Sequence, residues 1–158
     1  MEARRISAFI FKLPIDSTGA EMDEEEQWLH HERALSATVR TICQIYNGSA
    51  ESVGSSEFSK ENEIGRYERG RYEKGRMEAL EVAIKLKDDF CRDAALHAVF
   101  DLCMKAKDME FGTIIAGATT GEMIQDKIVE EYPHYFLLDR RDGRVHPTTA
   151  ASLGYFLK

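Results

Sequence analysis

Cysteine is scarce in this chain, three among 158 residues, and Cys43, Cys91 and Cys103 form no Cys-x-x-Cys pair. An odd, unpaired set excludes a secreted disulfide scaffold and points to reduced thiols in a cytoplasm. Long apolar runs are missing too. Uncharged apolar stretches such as 6–11 and 94–100 fall well short of the ~18 residues that suggest a membrane span. Arg4 and Arg5 precede the first of them, but Lys12 ends it too early for a secretory signal. Basic residues are outnumbered, 21 Lys and Arg against 28 Asp and Glu, for a net charge of −7. An acidic chain repels phosphate at long range, so nucleic acid is a disfavoured partner unless a local basic patch carries it. Reactive motifs are absent as well: there is no Gly-x-Ser-x-Gly elbow, no Gly-Lys-Ser/Thr and no His-Glu-x-x-His.

What remains is ordinary globular material, 43% hydrophobic and 31% charged. A chain of this length can bury on the order of 70% of its unfolded surface, and so folds without disulfide or metal. We expect one α+β domain over residues 1–158, mostly helical, with a small antiparallel sheet built from an N-terminal strand and a C-terminal hairpin.

The strand is read at 6–13 (ISAFIFKL), rich in β-branched and aromatic residues and stopped by Pro14. Residues 15–22 follow as a loop. Asp23 before three glutamates is a helix start, because a short acceptor caps free amides and carboxylates suit the positive end of the helix. Trp28, Leu35, Val39, Ile42 and Tyr46 then make an amphipathic helix over 24–46, ended by Asn47-Gly48. Residues 47–59 (NGSAESVGSSEFS) read as a flexible loop. A tandem repeat comes next, Gly65-Arg-Tyr-Glu-Arg, Gly70-Arg-Tyr-Glu-Lys, Gly75-Arg-Met-Glu-Ala. Five helical residues turn about 500°, so the three glycines do not share a seam. They cost about 3 kcal/mol against alanine, which leaves this part of a 59–87 helix dependent on a partner or on salt bridges. Met77, Leu80, Ala83 and Ile84 specify its second half. Asp88-Asp89 restarts a helix that is apolar nearly all round and therefore central. Residues 109–116 fit a short strand or a short helix. Thr119-x-x-Glu122 is a capping-box pattern opening a helix to Glu131, and 135–138 with 144–146 around Asp142-Gly143 form a hairpin. A last helical turn follows Pro147. Phe9, Phe11, Trp28, Tyr46, Phe90 and Phe100 are assigned to the core.

Candidate chemistry lies in three places. Tyr67, Arg71, Tyr72 and Arg76 in the repeat are interaction residues that pack within the protein or on a partner. The blander reading of the same stretch is a salt-bridged helix face, with Glu68–Arg71, Glu73–Arg76 and Arg69–Glu73 in reach. Asp89, Asp93, His97, Asp101 and Lys105 form a polar line on the central helix. That line is first a water-facing edge and second a metal or general-base site of Asp93, His97 and Asp101, in which Glu26 and His30, beside His31 and Glu32, could join from the first long helix. Residues 117–121 (GATTG) before a helix could present amides to a phosphate.

The order central helix, short segment, capped helix and hairpin over 91–147 resembles that of winged-helix modules, with 135–145 (YFLLDRRDGRV) similar to a wing. The resemblance implies DNA contact through Arg140, Arg141 and Arg144. Glu122, Asp126, Glu130 and Glu131 against Lys127 on the candidate recognition helix oppose it, because carboxylates beside phosphate cost affinity. The leading expectation is a cytoplasmic, non-enzymatic binding or regulatory protein that needs no cofactor and self-associates through helical apolar faces, most simply as a dimer, with a further protein partner as an option. A winged-helix-like DNA binder and a small metal- or ligand-dependent enzyme are the alternatives.

Overall fold

The computed structural model describes residues 23–55 and 62–152. The strand expected at 6–13, with Phe9 and Phe11, lies outside them. Within them the chain is a mostly helical α+β domain of seven helices and one two-stranded antiparallel sheet.

Helix α1 (Glu24–Ile45) starts where expected: the Glu26 amide donates to Asp23 Oδ1 at 2.8 Å. Its buried stripe is Glu32, Ser36, Val39 and Cys43, rotated about 70° from the Trp28–Leu35–Ile42 line at 100° per residue. Small Ser36 and Cys43 lie at the centre of the packed face, Leu35 and Ile42 flank it, and Trp28 is 44% exposed near the helix start. The assignment of Trp28 to the core is therefore corrected, as is that of Phe90, 63% exposed in the first turn of its helix. Tyr46 and Phe100 are buried as expected.

Tyr46 breaks the helix for a single residue, and α2 (Asn47–Gly54) begins at once where a flexible loop was expected. Smallness, which reads as loop in the sequence, serves packing instead. Ser49, Ala50, Val53 and Gly54 form the buried face, and a Cβ on Gly54 would overlap the Lys105 carbonyl. Helix α3 (Glu63–Ala83), capped by Asn62 Oδ1 accepting from the Gly65 amide at 2.6 Å, carries the whole glycine repeat. The glycines divide as their spacing requires: Gly65 and Gly75 are buried and Gly70 is exposed. Gly75, Ala79 and Ala83, four apart, make a low ridge on which α3 is packed, and a Cβ at Gly75 would collide with the Tyr46 ring. Met77 and Ile84, expected on the inner stripe, face outward at 48% and 66% exposure.

Helix α4 (Asp89–Lys105) is the centre of the fold. It packs against α1, α2, α3, the following α5 (Met109–Ala118) and α6 (Glu122–Glu131). Asp88 caps it by accepting from the Cys91 amide at 2.9 Å, and that bond holds its carboxyl below the ordinary range. The undecided 109–116 segment is helical, opened by Asp108. Strands β1 (Phe136–Asp139) and β2 (Arg144–Pro147) pair with Leu138 opposite Val145 and turn through Gly143 at φ 69°. Helix α7 (Thr149–Ser152) follows. Phe136 and Tyr132 meet Phe100 edge-on at 5.4 and 5.7 Å between centroids, which joins the hairpin to the core.

All three cysteines are buried and free. Burial pushes the Cys43 and Cys103 thiols up to about 12 and Cys91 up to about 11. A colorimetric thiol reagent at pH 8 is expected to react with the native protein on the order of a thousandfold more slowly than with a free thiol, because only the thiolate attacks. All three should react at once in denaturant; rapid native labelling of any of them would contradict this burial.

Candidate functional site

The polar line on α4 does not form a uniform water-facing edge. Asp89 is exposed and paired with Arg92 at 2.6 Å. Asp93 is 1% exposed, and its carboxylate accepts from the Thr120 amide (3.1 Å), the Thr120 hydroxyl (3.3 Å) and the Gly121 amide at the start of α6. The chain thus supplies its own anion to the positive end of α6. Two expectations are corrected together. The amides of the GATTG segment already hold a carboxylate, so they are not open to a phosphate. Asp93, with its oxygens occupied, does not belong to a metal site. A Cβ on Gly121 would come within 2.6 Å of Asp93 Oδ2, so glycine is what permits the approach. The capping box does not form: Gly121 is the cap residue, and the Thr119 hydroxyl donates back to the Ala116 carbonyl at 2.7 Å. Gln125 Nε2 donates to the Thr119 carbonyl (3.0 Å) and the Gly143 carbonyl (2.7 Å), which fixes the hairpin turn against α6.

One turn further along α4, His97 is 7% exposed and lies between two carboxylates. Its Nδ1 is 3.6 Å from Asp101 Oδ2 and its Nε2 is 3.5 Å from Glu131 Oε1. Nε2 is fully buried with no hydrogen-bond partner. One ligand atom from each of the three residues lies within 4.8 Å of the others. Phe100 packs beside the imidazole, 6.1 Å between centroids. Burial pushes the Asp101 carboxyl up, with Glu131 adding to the rise and His97 opposing it. The sequence reading found two members of this group by their four-residue spacing and missed Glu131. That residue is the last of α6, and only the packing of α6 on α4 brings it to His97.

The residues offered from α1 do not join. Glu26, His30 and His31 are exposed. Glu32 is 3% exposed and accepts from the Lys87 and Asp88 amides at 2.6 and 2.9 Å. A second acid–histidine group, Asp139, Asp142 and His146, lies on the hairpin. It is solvent-facing, and a 2.6 Å bond from His146 Nε2 to Asp142 lowers that carboxyl's pKa. Arg141, a member of the expected wing contact, is paired with Asp139 at 3.2 Å, while Arg140 and Arg144 are exposed.

The four interaction candidates separate by burial. Tyr72 is 1% exposed and donates to Asp108 Oδ2 at 2.6 Å. Arg76 donates to the same oxygen at 2.6 Å and lies 3.7 Å over the Phe111 ring. These two are therefore internal, since the turn into α5 covers them. Arg71 is half-buried over the Tyr46 ring at 5.1 Å and donates to Ser49 Oγ. Tyr67 alone of the four is largely open, at 61%. Among the described residues, no helix is long and apolar enough to cross a membrane. Comparison with protein-family models, characterised proteins and solved structures gives no match, so these side chains and their distances are the ground for any functional reading.

Proposed function

We propose that this is a non-enzymatic, cytoplasmic binding protein that self-associates, with the outer face of α3 meeting the same face of a second copy. The observation that carries the reading is Gly70. Gly75 has an internal reason to lack a side chain, but a Cβ at Gly70 would meet nothing within 4 Å. A glycine inside an exposed helix costs about 1 kcal/mol relative to alanine. Around it, Arg66, Tyr67, Glu73, Lys74, Met77, Glu81 and Ile84 occupy an arc of about 120° at 100° per residue, and Tyr67, Met77 and Ile84 expose large apolar side chains.

This face is self-complementary. Two antiparallel copies related by a two-fold axis between Glu73 and Lys74 place Met77 of each over Gly70 of the other. The same register sets Arg66 opposite Glu81 and Glu73 opposite Lys74, twice each, as an isologous contact requires. Glu73 and Lys74 now make only exposed pairs within the helix, with Arg69 at 3.7 Å and Glu78 at 3.8 Å. Such pairs contribute little and exchange readily.

Sedimentation equilibrium on the full chain tests this. Wild type is expected to dimerise, Met77→Glu to weaken the dimer by about tenfold or more, and Arg66→Glu to weaken it less. Combining Arg66→Glu with Glu81→Arg should restore it. A monomer at every concentration, or a dimer indifferent to these changes, overturns the proposal.

A second reading, a DNA-binding protein of winged-helix type, draws support from the order α4, α5, α6 and hairpin. It would use Arg140, Arg141 and Arg144, with acid on α6 against it. Duplex binding that falls steeply with salt would favour it, and absence of binding at low salt would remove it.

A further inference from the structure

We propose that His97, Asp101 and Glu131 form a binding site for one divalent transition-metal ion, with zinc as the representative. The inference is independent of the α3 contact. A cluster of carboxylates alone would carry no such claim; His97 does. Its side chain is 91% buried by its 9% exposure, and its Nε2 is directed at Glu131 with no hydrogen bond. A buried nitrogen left without a partner gives up its hydration uncompensated, and both carboxylates stand slightly too far from the ring to remove that cost. An ion takes one nitrogen of the imidazole, so only one of the 3.5 and 3.6 Å separations is between two of its ligands. One ligand atom from each of the three residues nonetheless lies within 4.8 Å of the others, from which a small side-chain shift would bring all three to about 2 Å from a shared ion.

The surrounding charge favours a cation there. Glu131 ends α6, where the helix carbonyls are negative, and that last turn holds no basic residue. Lys105 is four residues after Asp101 and would be its natural partner, but its ammonium donates to Asn47 Oδ1 instead. Lys105 and Lys127 act on Asp101 only at a distance. Two carboxylates and one imidazole therefore lie together with no cation of the described residues bonded among them. One nitrogen and two oxygens suit a borderline ion such as zinc, and three protein ligands leave a position for water. Asp101 also lines a cavity of about 170 Å³ with Arg40, Gln44 and Lys105, which leaves space on one side of the group.

Titration calorimetry with zinc on the full chain should show one ion bound per chain. Glu131→Gln, at a residue on the surface, should weaken binding by about tenfold or more, and His97→Gln should abolish it. Asp142→Asn, in the hairpin cluster, should leave it unchanged. Cobalt substitution should give visible bands without thiolate charge transfer, which separates this site from the cysteines. Circular dichroism establishes that each variant is folded, and Glu131→Gln carries the test if His97→Gln is not. No zinc binding by wild type, binding indifferent to Glu131→Gln, or a thiolate signature would each overturn the proposal.

Discussion

Asp108→Ala is expected to cost about 4 kcal/mol of folding stability. One carboxylate holds three things. Its Oδ2 accepts from both Tyr72 and Arg76 at 2.6 Å, and its Oδ1 accepts from the Phe111 amide at 3.3 Å, capping α5. The Arg76 and Asp108 side chains are 13% and 17% exposed, so their removal from water is nearly complete. Removing one partner of a buried pair costs about 3–5 kcal/mol, because the other charge is left uncompensated. The lost cap adds about 1 kcal/mol, and partial rehydration of Arg76 takes some back. Burial and the bond to Asp108 push the Tyr72 hydroxyl well above the ordinary tyrosine range, so it stays a donor at any working pH. Asp108→Asn keeps the cap and an acceptor for Tyr72 and should recover roughly half of the loss. Urea unfolding is the measurement, with a lower midpoint at unchanged slope as the expected result. A loss under about 1 kcal/mol would mean that the side chains rearrange and find water.

Asp93→Ala should cost about 3 kcal/mol by a related route. The Thr120 and Gly121 amides at the start of α6 have this carboxylate as their acceptor, in a place where Asp93 is 1% exposed. Bonds to a charged acceptor contribute about 1.5–3 kcal/mol, and these partly buried donors, left without an acceptor, recover only part of it from water. Asp93→Asn retains an acceptor but not the attraction between a negative charge and the helix start, so it should fall between. Amide exchange at Thr120 and Gly121 should accelerate in the alanine variant well beyond the global loss. If both amides stay protected, another group has taken over the cap.

How far the sequence was legible follows from how local each signal is. Asp23 and Asp88 mark the starts of α1 and α4 because a cap and its amides are three residues apart. Asp142-Gly143 marked the hairpin for the same reason. The loop expected at 47–59 failed over 47–54, since small polar residues look alike whether they are solvated or pressed against another helix. Tertiary contacts such as the Lys105 carbonyl lying against Gly54 distinguish the two. The inner face of α3 was misread because Met77 and Ile84 are the more apolar residues, whereas close packing selected Gly75, Ala79 and Ala83. In the polar line of α4, the spacing placed Asp93, His97 and Asp101 on one face. It carried no information about what that face meets. Thr120 and Glu131 are far along the chain, and no periodicity links them to α4. The site was half visible on that account: two ligands by spacing, and the third by tertiary packing alone.

The reach of Glu32 has a consequence for the order in which the molecule assembles. Its carboxylate is tied to two amides 55 and 56 residues further on, across the whole of α2 and α3. Closing a loop of that length carries an entropic penalty that local helices do not share, so this tie is expected to form late, with the cooperative closing of the domain. The Lys87 and Asp88 amides should then lose deuterium protection only when the entire domain opens. The first helix acts as a clasp for the rest, and no shorter fragment that omits it should hold the corner between α3 and α4 shut.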